Sequence, residues 1–463
     1  MFSIFPQPIM VLICLLLPAY FLYRNQDKKL ITWIALCVTL DIFNSQVYLN
    51  LTALKLTGLV ALPYAFLNLK NIFQNKGVKL LLLFFLLMLS LGIIYGYLIP
   101  WEDPTGLRKF KDLPQGRSIL HLGSMFLEFL VAVVLSKKFF IKENRDHAIK
   151  VLYYGCLILG LSMLIEFILS QLNQHFDFYH FFTGGREYHV PKRMRGFAYE
   201  PRGAAQNCAY GILISIIYFR KSYLKLICSI LFFTVVGFVL TFSMTGLITL
   251  CCGLAILFGT LIYLTHLGKA QIKIKYVVHG ITTFIIFAST LGIYFYNNSG
   301  HDSKWQAWMT NFKKRSFILE SNSLAGKLEV FDGAAVNFLS QNKKHLLIGT
   351  GPGLVALPAT NYILEKDRRD FPVMFNALPH MGAILMLSNG GILAISIWLI
   401  LFFTCLQRII LDLKQNDSSQ LFLTYILFML LYLLQIRYFY IFGLAFGLCL
   451  FFKDTCNKEK VCN

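Results

Sequence analysis

The stretch PKRMRGFAYEPRGAAQ, residues 191–206, gathers four cations, Lys192, Arg193, Arg195 and Arg202, around one acid, Glu200. Guanidinium forks are shaped to take phosphate oxygens in pairs. Pro201 and Gly203 mark a helix start just behind the acid, since Pro is favoured in the first helical turn. A helix N-terminus adds free N–H groups and positive dipole, which suit an anion. The stretch reads as a phosphate site or as a charge patch against anionic lipid headgroups, and the residues alone weigh the two evenly.

A second group is His380, in LPHMG. Histidine has an ordinary pKa near neutrality, the property a general base needs. A lone histidine where a loop meets a membrane span is more often structural. The third group is GTGPG, with Gly349, Gly351 and Gly353. A dinucleotide fingerprint needs a strand before its glycines and a βαβ unit around them. Neither is legible here, so the glycines read as the tight turns of a compact loop.

The elements that must position these residues are apolar. Of the 463 residues, 57% are hydrophobic and 14% are charged, against about 25% charged in a soluble domain. Apolar runs of about 17 to 25 residues recur, the signature of transmembrane helices. The fold class expected is an all-α polytopic membrane protein with about 12 to 13 spans. The spans fall at 8–23, 30–45, 53–69, 79–99, 118–136, 151–171, 204–219, 224–242, 246–265, 276–297, 379–405, 419–435 and 438–452. Asp41 and Asn44 interrupt the second of them. The first run, Ile9 to Tyr23, lacks a basic start and a small-residue cleavage site, so it reads as a retained span.

A net charge of +20 on a soluble chain would point to nucleic acid. Here the cations sit in alternate short loops, as cytoplasmic loops do, so no nucleic-acid partner is expected. The other face then receives 100–117, 172–203 and a large loop, 298–378. Cations on that face run against the topological rule and need another reason. None of the eleven cysteines lies in those three loops, so no disulfide framework is expected there. No metal site and no cofactor are legible. No internal repeat is visible either, and residues 1–463 read as one membrane domain.

The order of these motifs resembles the superfamily of O-antigen ligases and O-antigen polymerases (Wzy-like), membrane glycosyltransferases of GT-C-like fold. The family places an Arg-Gly-aromatic segment before a mid-chain helix, as in RGFAYEP, Arg195 to Pro201. FSMTG occupies the place of a Ser-Arg turn, with Met244 for the arginine. The late loop carries a basic residue, an aromatic and spaced glycines, matched by Lys327, Phe331 and GTGPG. PHMGAILMLSNGG resembles the Pro-His-Asn opening of the next helix, with Met381 for the asparagine.

The resemblance implies polymerisation of undecaprenyl-pyrophosphate-linked oligosaccharide repeat units at the periplasmic face of a bacterial inner membrane. It implies an inverting, metal-independent transfer with His380 as base and Glu200 orienting it or binding sugar. Arg195, Arg202, Arg193, Lys192 and Lys327 would hold diphosphate or glycan. Glu200 has an equally weighted plain role, an ion pair with Arg195 or Arg202. The partners implied are lipid-linked donor and acceptor, membrane lipids and a chain-length regulator protein. A ligase would differ only in its acceptor, the lipid A core. The reading of another class is a flippase or transporter, on the ionisable residues Asp41, Glu128, Glu166, His121 and His279 within spans.

Overall fold

A computed structural model describes residues 7–43, 52–67, 75–98, 113–172, 174, 176–183, 194–219, 222–241, 243–268, 328, 330–364, 378–416, 418–434 and 437–452. Among the described residues the secondary structure is helical throughout. The helices are α1 (Gln7–Tyr23), α2 (Asp27–Thr39), α3 (Ala53–Leu67), α4 (Lys76–Leu98), α5 (Pro114–Lys138) and α6 (Lys142–Gln171). There follow the short α7 (Phe178–Thr183), α8 (Pro201–Tyr218), α9 (Tyr223–Thr234) and α10 (Met244–His266). The late loop contributes α11 (Val330–Gln341), α12 (Lys343–Ile348) and α13 (Ala356–Ala359). The chain closes with α14 (Gly382–Gln415), α15 (Ser419–Leu434) and α16 (Phe439–Leu448).

Helices α4, α5, α6, α10 and α14 are long and apolar enough to cross a membrane. Each other expected span coincides with a shorter helix, except 276–297, which lies outside the described residues. The second span is cut short where the sequence placed its weak point. Helix α2 stops at Thr39, Leu40 turns extended, and Asp41–Phe43 forms a 3₁₀ turn.

The helices alternate in direction, and polar contacts mark the two ends. At one end Lys138 pairs with Asp27 at 2.8 Å, Lys137 and Lys138 lie over the Tyr64 ring, and Asn75 donates to the Leu448 carbonyl. Among the described residues, Lys28, Lys142 and Arg145 lie at this end as well. The opposite end holds the 194–203 stretch, the glycine loop and the start of α14. The described part of the late loop has a small core of its own. Ala334, Ala335, Phe338, Val355 and Ala359 pack together with Ile384 of α14.

The glycine loop is wedged against a break in α14. Gly391 has φ 63° and ψ −159°, so the helical ladder is interrupted there. The Ser388 carbonyl accepts the Thr350 N–H at 2.8 Å, and the Asn389 carbonyl accepts the Gly351 N–H at 3.0 Å. The Asn389 side-chain oxygen takes the Gly353 N–H at 3.3 Å. Gly349 sits at φ 73°, and a Cβ there would meet the backbone of Asn389 and Gly390. Only glycine allows both the left-handed backbone and the close approach. The glycines thus build a turn that satisfies the carbonyls of a broken helix.

This layout makes a labelling prediction. Tyr199 is 58% exposed at the end opposite the cations, and Glu143 is exposed at the cationic end. On the expected orientation, Tyr199→Cys reacts with a membrane-impermeant maleimide in cells with a permeabilised outer envelope. Glu143→Cys reacts only after lysis, with wild type as background. The reverse pattern inverts the orientation.

Candidate functional site

The 194–200 segment is fastened from three sides: α6, the turn at Asp41 and the backbone at Leu240. Met194 N–H donates to the Leu240 carbonyl at 3.0 Å. Glu166, buried near the end of α6, accepts N–H groups from Arg195 at 3.1 Å, Gly196 at 2.8 Å and Phe178 at 2.9 Å. Ser162 accepts the Phe197 N–H, and Asp41 accepts the Tyr199 N–H at 3.1 Å. A carboxylate that takes several backbone donors fixes a loop firmly. Asp41 and Glu166, which on sequence alone favour ion transport, spend these bonds on holding one loop.

Arg195 is buried, and its fork closes on Asp177. Nε donates to Oδ1 at 3.0 Å and the Nη2 amino group to Oδ2 at 2.5 Å. The remaining amino group donates to the Tyr199 carbonyl at 2.7 Å. The guanidinium also lies over the Tyr179 ring, 4.8 Å from its centre. Burial first, and then the negative charge of Asp41, push the Tyr179 phenol well above its ordinary value. The edge of Arg195 shaped for phosphate is therefore turned to an internal carboxylate. Glu200 pairs with Arg202 at 3.5 Å, and both side chains are partly exposed. Of the two partners open to Glu200 in the sequence, the geometry selects Arg202.

Helix α8 starts at Pro201 behind an extended Glu200 that gives no side-chain cap. A cation absent from the sequence reading stands beside this start. Arg437, in the connection between α15 and α16, donates from Nε to Gln206 Oε1 at 2.7 Å. Its Nη1 group donates to both oxygens of Asp41, at 3.3 and 3.4 Å. The Nη2 group lies against Gly203, where a Cβ would collide with it. Among the described residues Nη2 has no hydrogen-bond partner. The signal was available in the sequence. Arg437 is a lone cation in a short connection on the face that should lack cations.

His380 opens α14. Asp332, buried in α11, accepts the His380 N–H at 2.8 Å and the Met381 N–H at 3.2 Å. A carboxylate at a helix N-terminus is favoured by the helix dipole as well as by the hydrogen bonds. The His380 ring is half-buried with the Phe331 ring 6.1 Å away. Gly382 packs on the Tyr432 carbonyl at the end of α15. That helix leads directly into Arg437, so His380 and Arg437 belong to the same end of the bundle. The residue that seats His380 was not legible, because Asp332 lies 48 positions away.

Lys192, Arg193 and Lys327 lie outside the described residues. Gly349, Gly351 and Gly353 all have positive φ in this loop; the Gly351 and Gly353 N–H groups donate to Asn389 of α14, and the Gly349 N–H donates to the His345 carbonyl at 2.7 Å. Among the described residues no group of three or more His, Cys, Asp or Glu side chains is arranged to hold a metal.

The sequence matches no family model and no curated protein. The functional reading therefore rests on the residues themselves.

One prediction follows from the Arg195–Asp177 pair. Breaking a buried pair leaves a charge uncompensated, which costs about 3–5 kcal/mol. Arg195→Ala should lower the unfolding temperature and the membrane abundance of the protein. Arg195→Met with Asp177→Leu should recover most of the loss, since neither charge then remains. A double variant as unstable as Arg195→Ala would contradict this.

Proposed function

We propose that this chain is a GT-C-like membrane glycosyltransferase that polymerises undecaprenyl-diphosphate-linked repeat units at the outer face of a bacterial inner membrane. The observation that carries the reading is the start of α8, where Arg437 is oriented by Asp41 and Gln206 against Gly203. An uncapped helix N-terminus, a fixed guanidinium and the partly exposed Arg202 make a site for a diphosphate.

In this reading the donor diphosphate lies on the first turn of α8, within reach of Arg202 and Arg437. Arg195 is a positioning residue: its pair with Asp177 holds the loop that leads into the helix. His380 takes the proton from an acceptor sugar hydroxyl. The hydroxyl oxygen forms the new bond at the anomeric carbon from the face opposite the leaving group. The bond to the diphosphate breaks, and its electron pair leaves with the diphosphate. Fixed cations stabilise that growing negative charge. Glu200 balances Arg202 until substrate arrives.

The test is turnover in proteoliposomes supplied with a polyprenyl-diphosphate-linked oligosaccharide. The reading requires products longer than one unit and release of one polyprenyl diphosphate per bond formed. Collapsing the proton gradient should leave the rate unchanged. Movement of the intact lipid-linked oligosaccharide across the bilayer, with no new glycosidic bond and with loss of activity on collapse, would establish a flippase instead.

A further inference from the structure

Tyr199 is the exposed member of a tucked-in stretch. Across residues 194–203 the others are buried or half-buried, whereas Tyr199 is 58% exposed. Exposure usually goes with freedom, yet this residue is held at three points. Its N–H donates to Asp41 Oδ2 at 3.1 Å, and its carbonyl accepts from the Arg195 guanidinium at 2.7 Å. Its ring meets the Tyr179 ring edge-on, with centres 5.5 Å apart. Tyr179 is itself buried, and the Arg195 guanidinium lies over it at 4.8 Å. Arg195, Tyr179 and Tyr199 thus form a chain of contacts that runs from the buried pair with Asp177 out to the surface. An aromatic of an interfacial belt needs only to reach the headgroup level. It needs no clamp on its own backbone. An open ring held this firmly is prepared for a contact, because little freedom is left to lose on binding.

Its position indicates which contact. Tyr199 stands two residues before Pro201, where α8 starts. Asp41 Oδ2, which takes the Tyr199 N–H, also takes the Nη1 group of Arg437 at 3.4 Å. Glu200 and Arg202, which follow Tyr199, are partly exposed as well. The ring therefore belongs to the rim of the first turn of α8. A group bonded to an anion on that turn has this rim as its neighbour.

We infer that Tyr199 is a stacking platform for the first sugar of the donor, the pyranose bonded directly to the diphosphate. This role rests on the α8 reading above and adds to it the chemical class of that sugar. The face of an aromatic ring is electron-rich. A pyranose with mostly equatorial hydroxyls carries axial C–H bonds on a flat, apolar face. Neighbouring oxygens leave those hydrogens slightly positive. Such a face covers the Tyr199 ring, and water leaves both surfaces. The lipid diphosphate without its sugar gains nothing from the ring.

That difference is the test. The full-length protein, purified in detergent, is titrated by calorimetry with two probes: farnesyl diphosphate, and the same lipid diphosphate carrying one glucose. Wild type should bind the glucose-linked probe more tightly. Tyr199→Ala should weaken that probe about tenfold, the upper range for one aromatic contact, and leave farnesyl diphosphate within about twofold. Tyr199→Phe and Tyr199→Trp keep a ring face and should hold the preference for glucose. Tyr199→Leu keeps apolar area without the ring and should lose most of it. The bonds to Asp41 and Arg195 run through the backbone, so every variant retains them; thermal unfolding checks this. If Tyr199→Leu binds the glucose-linked probe as well as Tyr199→Phe does, the ring has no part and the inference falls. Equal weakening of both probes in Tyr199→Ala overturns it too. Wild type that binds both probes equally overturns the inference and leaves the α8 site standing. Wild type that binds neither removes the α8 site and the inference together.

Discussion

Arg437→Lys should slow glycosyl transfer about a hundredfold while the protein stays folded, within the 10²–10³ range typical for removal of one group that stabilises developing negative charge. The guanidinium does three things at once. Nε holds Gln206, Nη1 holds Asp41, and Nη2 is left at the first turn of α8. A lysine ammonium is a point charge on a flexible stem and lacks the planar fork. It can keep Asp41 compensated, which preserves the fold, but it then has nothing aimed at Gly203. The loss should fall on kcat more than on KM, because negative charge on the leaving diphosphate grows as the bond breaks. Gly203→Ala offers an independent approach to the same atom. Its methyl group would displace Nη2 without touching the charge, so the rate should fall in the same direction. Initial rates of polymer formation, with abundance and thermal unfolding measured in parallel, decide the matter. If Arg437→Lys retains wild-type kcat, the residue only neutralises Asp41.

How much of this could be read in advance depends on the range of each interaction. The helices were legible because each depends on an unbroken apolar run, a local property. So was the helix start at Pro201, which rests on Pro and its neighbours. The GTGPG turn was legible because positive φ selects glycine. What the turn binds was not: its partners Ser388 and Asn389 stand nearly forty residues later. The partners of the cations were hidden in the same way. Nothing local says that Arg195 turns to Asp177, or that Glu166 serves the backbone of a loop 29 residues on. Asp41 looked like an ion-pathway residue because an acid in an apolar run is costly. Its compensation comes from Arg437, 396 positions away. The role of His345, four residues before Gly349, was equally hidden in the sequence. Its Nδ1 lies 2.9 Å from the Gly349 carbonyl and its ring packs on Tyr95 and Phe338, so it supports the turn.

His380→Ala should cost about 10²–10⁴-fold in rate, the usual range for loss of a general base. In the proposed reaction the acceptor hydroxyl must lose a proton as it attacks, and a histidine such as His380 is a side chain suited to take it. Its backbone is seated by Asp332 at 2.8 Å, which also fixes the start of α14. The imidazole therefore projects from a rigid helix end, and a base held on a rigid element loses little entropy on reaction. Asp332→Ala should lower kcat by a smaller factor, because the base remains but its support loosens. Asp332→Asn keeps an oxygen that can accept the same N–H groups, so it should recover much of that loss. This ordering separates positioning from mere stability, since a destabilised fold would lower the amount of active protein without changing kcat per folded molecule. His266, exposed at the cationic end, is the control, and its alanine variant should transfer normally. Donor binding should survive in His380→Ala, because the proposed diphosphate site is the start of α8, not His380. If purified His380→Ala elongates the lipid-linked oligosaccharide within about threefold of wild type, well short of the loss expected for a base, the proton goes elsewhere and His380 is a structural residue of the helix start.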